Sequence, residues 1–400
     1  MEFIGKSEEK VGIKRAVIGE DFSQTVLALT EEILPSGHIA LAFAQEDTAL
    51  ANRTEAALNL QKYKIGRYSY ASGTTPSREA AEDLENCPES VRLLICCGEA
   101  DMADIVKFAA WRRGIPWLLV PSSPDILPCA LPLAVLGWGA SAERVECAPP
   151  AAIAACEGDM NGCSGRGKAA AYGSLAAERL HCLELRCEEL LFGARTDRLV
   201  VKEAGELCAS ALECDEGVRL AEFSLKAALA LQRAGVKGEG SARSFARILA
   251  CVSDDGRSVS ENCFIAARVL GEMFSKALAF EGRDVLIPPD RVAMASSLAR
   301  LCGADKSSLV AKLEMGGDFE RTAYVFGEYR EDMLEMFKAA EKGSRVRARR
   351  FRRMYEDAGF WLGKYVRPKD LIRLADIFLA VAPRKSLAGA IADMNLWGVN

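Results

Sequence analysis

The stretch from Leu93 to Pro132 holds the residues of this sequence that are best placed to do chemistry. A short apolar run ends at Gly98, and a helical pattern begins within a few residues. At such a strand-to-helix turn, a glycine lets the backbone approach a pyrophosphate, and the helix N-terminus supplies amide donors and a positive dipole. The stretch is therefore a candidate dinucleotide-binding loop. The prediction depends on a single glycine, Gly98.

A second candidate is His181, which has Glu178 and Glu184 one helical turn away on either side. A Glu and a His three residues apart on a helix can bind a metal when another helix supplies matching ligands. The other histidine, His38, precedes a predicted strand, and the sequence offers no matching half. We therefore favour a partly exposed helix histidine beside neighbouring carboxylates.

An arginine-rich segment near the C-terminal end has Phe351 and Tyr355 interleaved with the basic residues. Its arginines are Arg345, Arg347, Arg349, Arg350, Arg352 and Arg353. Such a patch can meet nucleic acid or another anionic partner. The formal net charge of −5 and the acidic flanks favour a face that is solvated or bridges helices, so no nucleic-acid partner is predicted.

The elements that would position Gly98 alternate between short apolar runs and helical patterns up to Pro150. The runs RAVIG, HIALAFA, KIGRYSY, RLLICC and PWLLVP predict buried parallel strands, with helices between them. This alternation predicts a doubly wound, Rossmann-like α/β domain. The segments LPLAVLGW and AERVECA predict a β-hairpin, and AAIAAC predicts one further strand.

After the glycine-rich break NGCSGRGK, nearly every segment has helical periodicity. A chain of 400 residues also exceeds the usual size of a single hydrophobic core. We therefore predict a Rossmann-like nucleotide-binding-type domain over residues 1–160 and an all-helical domain over residues 161–400.

The composition is that of an ordinary globular protein, with 50% hydrophobic and 27% charged residues. No stretch approaches the roughly 18 uninterrupted apolar residues of a membrane span, and the N-terminal residues show no secretory pattern. The 14 cysteines lack paired metal-binding spacing, and several lie in apolar runs, which predicts buried, reduced thiols. We therefore expect a cytoplasmic protein with no membrane association.

The order of residues after Gly98 resembles that of glycerol-1-phosphate dehydrogenases, relatives of iron-containing alcohol dehydrogenases and dehydroquinate synthases. The matching residues, in ungapped register, are Gly98, Asp104, Lys107, Gly114, Ile115, Pro116 and Val120 to Pro124. The resemblance implies a dehydroquinate synthase-like architecture, with an α/β domain followed by a helical domain. It also implies a homodimer, an NAD(P) cofactor, and a catalytic zinc held by one Asp and two His.

The cofactor and substrate positions of that family are only partly kept in this sequence. By resemblance, the cofactor-binding positions are Gly98, Glu99, Ala100, Asp104, Ser122, Ser123 and Thr48. Glu99 and Ala100 stand where the family has glycines, and a carboxylate about 4 Å from a phosphate costs up to ~4 kcal/mol at an effective dielectric of ~20. Gln45 replaces an adenosine-side Asp, for which Glu46 or Asp47 could compensate, and Leu127 replaces the substrate-contacting Asp.

The three metal-ligand positions of the family fall on Ser174, Arg243 and Val259. None of these side chains is a zinc ligand, so we expect zinc to be absent. Arg243 and Arg247, one turn apart, could hold an anion such as a phosphate. Ion-paired arginines that fill the vacated cleft are the favoured alternative, just as Asp104 and Lys107 could form a structural pair.

Two functions follow from these observations. In the first, the chain is a non-catalytic or repurposed relative that binds an anionic or nucleotide ligand in the interdomain cleft or acts through its surface. In the second, it is an active NAD(P)-dependent oxidoreductase that acts on glycerol 1-phosphate or a related polyol phosphate. The first is favoured because hydride transfer at an alcohol carbon needs a Lewis acid or general acid, and the sequence indicates neither.

Overall fold

The computed structural model describes residues 1–4, 12–58, 60–137, 139, 142–193, 196–252, 257–280, 290–311, 313, 319–357 and 368–394. The chain divides into two compact units. The first comprises Met1–Gly137, Ala142–Ala171 and Cys214–Gly238, and the second comprises Trp138–Ser141, Tyr172–Glu213 and Glu239–Asn400.

The strands belong to the first unit. They are β1 (Glu2–Ile4), β2 (Arg15–Gly19), β3 (Gly37–Ala44), β4 (Tyr63–Tyr70), β5 (Val91–Gly98), β6 (Trp117–Pro121), β7 (Leu133–Leu136), β8 (Glu143–Glu146) and β9 (Ala152–Cys156). Within the described ranges, seven of them form one sheet in the order β1-β2-β9-β6-β5-β3-β4, in which only the β1–β2 pairing is antiparallel. The remaining pair, β7 and β8, forms the predicted antiparallel hairpin.

The helices follow the predicted pattern closely. They are α1 (Phe22–Ile33), α2 (Thr48–Ala57), α3 (Arg78–Glu85), α4 (Ala100–Arg113), α5 (Ile126–Ala130), α6 (Glu157–Gly162), α7 (Gly165–Phe192), α8 (Arg198–Ala211), α9 (Gly217–Arg233), α10 (Ser241–Val252), α11 (Val259–Ala279), α12 (Arg291–Cys302), α13 (Lys306–Ala311), α14 (Phe319–Glu341), α15 (Ser344–Asp357), α16 (Pro368–Ala380) and α17 (Leu387–Asp393). The predicted fold class, a mainly parallel α/β sheet followed by a helical region, is confirmed.

The central strands are buried on both faces, which explains why they appear as continuous apolar runs rather than as alternating ones. Leu41 and Ala42 of β3, and likewise Leu94 and Ile95 of β5, point to opposite faces of the sheet and are all fully buried. All 14 cysteines lie in the described part of the chain and are free thiols, most of them buried, as predicted.

The boundary between the units does not fall at residue 160, and the first unit is not continuous in the sequence. It falls inside α7, and α9 belongs to the first unit although it lies far beyond residue 160 in the chain. Gln232 of α9 donates a hydrogen bond to the Ala130 carbonyl at 2.6 Å and accepts one from the Gly12 amide at 3.0 Å. Periodicity identifies α9 as a helix but carries no information on which core buries it.

In the second unit, α7 and α11 approach so closely that only glycine fits at their contact. A Cβ at Gly173 would lie 2.2 Å from the Ser260 carbonyl oxygen. The start of α11 is held by a capping box, in which Ser258 accepts from the Glu261 amide and Glu261 accepts from the Ser258 amide. These contacts place the first turn of α11 against α7.

Candidate functional site

The carboxyl ends of β3, β5 and β6 lie side by side, which is where open α/β sheets bind their ligands. β5 ends at Gly98, whose φ of +151° lies in a region that favours glycine. Ala100 begins α4, and Glu99 precedes it without a side-chain capping bond. The predicted strand, turn and helix are therefore present around Gly98.

Carboxylate side chains lie at the carboxyl end of β5, around Gly98. A Cβ added at Gly98 would lie 2.9 Å from Oδ2 of Asp47, so the Asp47 side chain covers the surface that a pyrophosphate would approach. Burial raises the pKa of Asp47 to about 6 and outweighs the hydrogen bond that Ser122 donates to it. The charge of Glu46 acts in the same direction as burial.

Glu99 belongs to the same group of acids. Its side chain reaches solvent, yet protein surrounds it on most sides, and this desolvation is the main reason that its pKa is raised to about 7. The charge of the buried Asp125 adds to the effect, and a hydrogen bond from Ser123 opposes it. Both serines at the predicted cofactor positions thus contact protein carboxylates.

The other predicted residues of the first unit form contacts within the protein, although Thr48 is exposed. The hydroxyl of Thr48 donates to the Gln45 carbonyl at 2.7 Å. Lys107 is fully buried, and its Nζ lies 3.3 Å from Oδ1 of Asp104 and 2.7 Å from the Leu133 carbonyl oxygen. The predicted ion pair across one turn is therefore present. Leu127, at the position of the family's substrate-contacting Asp, is fully buried.

In the second unit, two of the three positions aligned with metal ligands contact each other directly. Nη2 of Arg243 donates to Oγ of Ser174 at 2.8 Å, and both residues are buried. Nε of Arg243 lies 4.0 Å from Oε1 of Glu178, one turn along α7 from Ser174. The third position, Val259, begins α11, which contacts α7 at Gly173.

His181 extends this cluster along α7. Its Nδ1 lies 2.9 Å from Oε2 of Glu178, so the favoured histidine–carboxylate pairing is present. The predicted partial exposure is wrong, because His181 is buried where the chain at Gly240 packs against it. Glu184 accepts a hydrogen bond from the Ser241 amide at 3.0 Å. A Cβ at Gly240 would lie 2.6 Å from Cβ of His181, which requires glycine at this contact.

The protonation of this cluster follows from its burial. Burial alone would lower the pKa of His181, but the carboxylates of Glu178, Glu184 and Glu188 outweigh it and raise the pKa to about 9. Burial raises the pKa of Glu184 to about 7. At neutral pH the cluster therefore holds an imidazolium beside the Arg243 guanidinium, with Glu178 between the two cations.

Arg247 is also engaged by the protein. Its Nε lies 3.3 Å from Oε2 of Glu239, and both side chains are buried. This geometry favours ion-paired arginines over an anion site at Arg243 and Arg247. Among the residues that the structure describes, no group of three or more His, Cys, Asp or Glu side chains is arranged to hold a metal ion.

The arginine-rich segment forms α15 and shows both of the expected environments. Arg347 donates to the carbonyls of Ala340 at 2.7 Å and Lys342 at 2.8 Å, and Arg350 contacts Glu213 at 3.4 Å. Arg345 and Arg349 are exposed. One side of α15 therefore bridges helices and the other is solvated.

Sequence reasoning missed two members of the acidic group. The sequence suggests Asp47 only as a replacement for a cofactor ligand and gives no role to Asp125. Asp47 follows β3 and Asp125 follows β6, and their positions just after predicted strands were the available signal. Their proximity to Glu99 depends on the order of the strands in the sheet.

Three acids and His181, all with raised pKa values, predict that stability falls as pH rises. The pKa values of Asp47, Glu99, Glu184 and His181 are all raised, so the native state holds protons that the unfolded chain releases. This stabilisation is complete at low pH and is lost between about pH 4 and pH 9. We expect calorimetry to show a lower melting temperature at pH 9 than at pH 6.

The fall in melting temperature between pH 7 and pH 9 should depend on His181. His181→Gln is expected to flatten the profile between pH 7 and 9, whereas His38→Gln, which alters a contact with Ser90 in the first unit, should leave it unchanged. A melting temperature that rises from pH 6 to pH 9 would contradict the raised pKa values of His181 and the three acids.

Comparisons with known proteins identify the fold. No family model matches the chain, and no curated protein matches it. A glycerol dehydrogenase from Schizosaccharomyces pombe superposes with a TM-score of 0.53 at 13% identity, covering 89% of this chain and 94% of that one. A 1,3-propanediol oxidoreductase gives a TM-score of 0.55 at 14% identity, with 90% and 91% covered. An alcohol dehydrogenase from Oenococcus oeni gives 0.53 at 13%, with 93% and 94% covered.

These similarities establish that the chain has the fold of iron-containing alcohol dehydrogenase and glycerol dehydrogenase structures over nearly its whole length. In the part of the chain that the structure describes, no helix is both long and apolar enough to span a bilayer.

Proposed function

We propose that this chain is a glycerol-1-phosphate dehydrogenase-like protein that has lost metal-dependent hydride transfer and acts as a non-catalytic or repurposed binding protein. The observation that carries the proposal is the hydrogen bond from Arg243 to Ser174. By resemblance, these two residues stand where the family has metal ligands. Here they bind each other, and a guanidinium supplies the positive charge at this place.

The residues around Ser174 do not suit a catalytic zinc. A zinc site of this kind needs anionic or imidazole ligands and an open coordination position. Ser174 offers a neutral hydroxyl, and Arg243 has no lone pair to donate and repels a dication. His181 is hydrogen-bonded to Glu178, and its raised pKa keeps it protonated at neutral pH.

The first unit is equally unsuited to the pyrophosphate of NAD(P). The Asp47 carboxylate covers Gly98, and Glu99 stands at the N-terminus of α4, where a phosphate would otherwise meet amide donors. Above pH 7 both acids are mainly ionised, because their pKa values are about 6 and about 7. Bringing a pyrophosphate to this edge would place like charges side by side.

We also propose, from the resemblance, that the protein forms a homodimer and is located in the cytoplasm. The homodimer is testable by light scattering on the purified protein. An anionic or nucleotide ligand elsewhere on the chain is compatible with the loss of catalysis.

The deciding experiment is calorimetric titration of the purified protein with NADH and NADPH at pH 8, with zinc content measured on the same sample. We expect no stoichiometric zinc and weak or no dinucleotide binding. The double variant Asp47→Asn/Glu99→Gly should bind NADPH at least tenfold more tightly than the wild type, because it removes two repelling charges. Glu79→Gln on α3 is the control and should bind as the wild type does.

Micromolar dinucleotide affinity with one zinc per chain would overturn the proposal. That outcome would favour an active oxidoreductase, and oxidation of glycerol 1-phosphate would then be the activity to assay. Equal, weak binding by the wild type and the double variant would contradict the role of the two acids.

A further inference from the structure

A cavity of about 330 Å³ lies within the second unit, between α7, α11, α14 and α15. This volume is at the lower end of the range for small-molecule sites, about 300–1,000 Å³. Its walls are largely apolar and include Leu180, Leu183, Phe264 and Phe337. Three arginines also line it, Arg179, Arg268 and Arg347.

Two of these arginines have guanidinium groups without a protein partner. Within the described part of the chain, no hydrogen bond or ion pair joins Arg179 or Arg268 to another residue. Arg268 is exposed, whereas Arg179 is half-buried, and the loss of hydration of the Arg179 guanidinium outweighs the favourable charge of Glu213. Buried charges are normally paired, and an unpaired one beside a cavity indicates a missing counter-charge.

Arg347 strengthens the positive character of the cavity. It is 8% exposed and donates to two backbone carbonyls, and within the described residues no carboxylate forms an ion pair with it. Burial lowers the pKa of Arg179 to about 10, and the charge of Arg347 contributes to the same shift. Of the two acids that line the cavity, Glu272 is paired with Lys276 at 3.2 Å and Glu341 is exposed.

We propose that this cavity binds a small anion that carries a short apolar tail, of the alkyl phosphate class. The arginines would hold the anionic head through charge-assisted hydrogen bonds. The leucine and phenylalanine side chains would cover the tail and remove its apolar surface from water. The combination of cationic and apolar side chains in the lining favours this class over free phosphate and over a neutral alcohol.

The cavity is distinct from the cluster around Arg243. Successive residues of an α-helix are rotated by about 100°. Ser174, Glu178 and His181 therefore share one face of α7, whereas Arg179 and Leu183 lie on the opposite face. The proposed site does not depend on the loss of dehydrogenase chemistry.

The test is calorimetric titration of the full-length protein with octyl phosphate, 1-octanol and inorganic phosphate. Octyl phosphate should bind at least tenfold more tightly than either of the others. Arg179→Met should weaken octyl phosphate binding about tenfold or more, since it removes one charged hydrogen-bonding group. Arg349→Met, on the exposed side of α15, is the matched control and should bind within about twofold of the wild type.

Folding of the variant is checked by its own thermal unfolding. Arg179→Met removes an unpaired, partly desolvated charge that faces Arg347, so the unliganded variant should melt at the same temperature as the wild type or higher. At the same concentration, octyl phosphate should raise the melting temperature of the wild type more than that of the variant. Equal octyl phosphate binding by wild type and Arg179→Met, or binding no tighter than that of 1-octanol, would overturn the proposal.

Discussion

Glu178→Ala is expected to lower the free energy of unfolding by about 3–5 kcal/mol, the usual cost of removing one partner from a buried ion pair. Glu178 is 1% exposed and lies between two cations, with its Oε2 2.9 Å from His181 and its Oε1 4.0 Å from Arg243. Without it, an imidazolium and a guanidinium remain buried together. Urea denaturation at pH 7 measures the loss.

The control for this substitution is Glu206→Ala on α8. Glu206 is exposed and forms a surface pair with Lys202 at 3.8 Å, so its removal should cost at most about 0.5 kcal/mol. Glu178→Gln keeps hydrogen-bond acceptors without the charge and should fall between wild type and Glu178→Ala. If Glu178→Ala and Glu206→Ala lose the same stability, the buried cluster does not hold the charges described above.

Gly173→Ala is expected to destabilise the protein by about 3 kcal/mol, at the upper end of the usual cost of overpacking. The added Cβ would lie 2.2 Å from the Ser260 carbonyl oxygen, which belongs to the backbone of α11 and cannot rotate away. The helices α7 and α11 must therefore separate, and the contact between Arg243 and Ser174 must change with them. Thermal unfolding measures the loss.

Gly327→Ala on α14 is the matched control for this prediction. It makes the same substitution in a helix where an added Cβ meets nothing within 4 Å. Alanine is favoured over glycine in a helix interior by about 1 kcal/mol, so this variant should be slightly stabilised. An equal effect of the two substitutions would mean that helix propensity, rather than the α7–α11 contact, decides the outcome.

Most of the secondary structure and the fold class are predictable from local patterns in the sequence. Apolar runs such as RLLICC and helical patterns such as ADMADIVKFAAWRR are local signals, and β5 and α4 appear where those signals predict them. The pairing of Lys107 with Asp104 was also predictable, because residues three apart on a helix are neighbours.

Contacts between side chains of different elements could not be predicted from the sequence and follow from the way the elements pack. Asp47 and Gly98 come together because β3 and β5 are adjacent in the sheet, and Arg243 meets Ser174 because α10 packs against α7. The assignment of α9 to the first unit is of the same kind. The physical reason is that periodicity reports how each segment is buried, whereas strand order and helix packing depend on contacts between residues far apart in the chain.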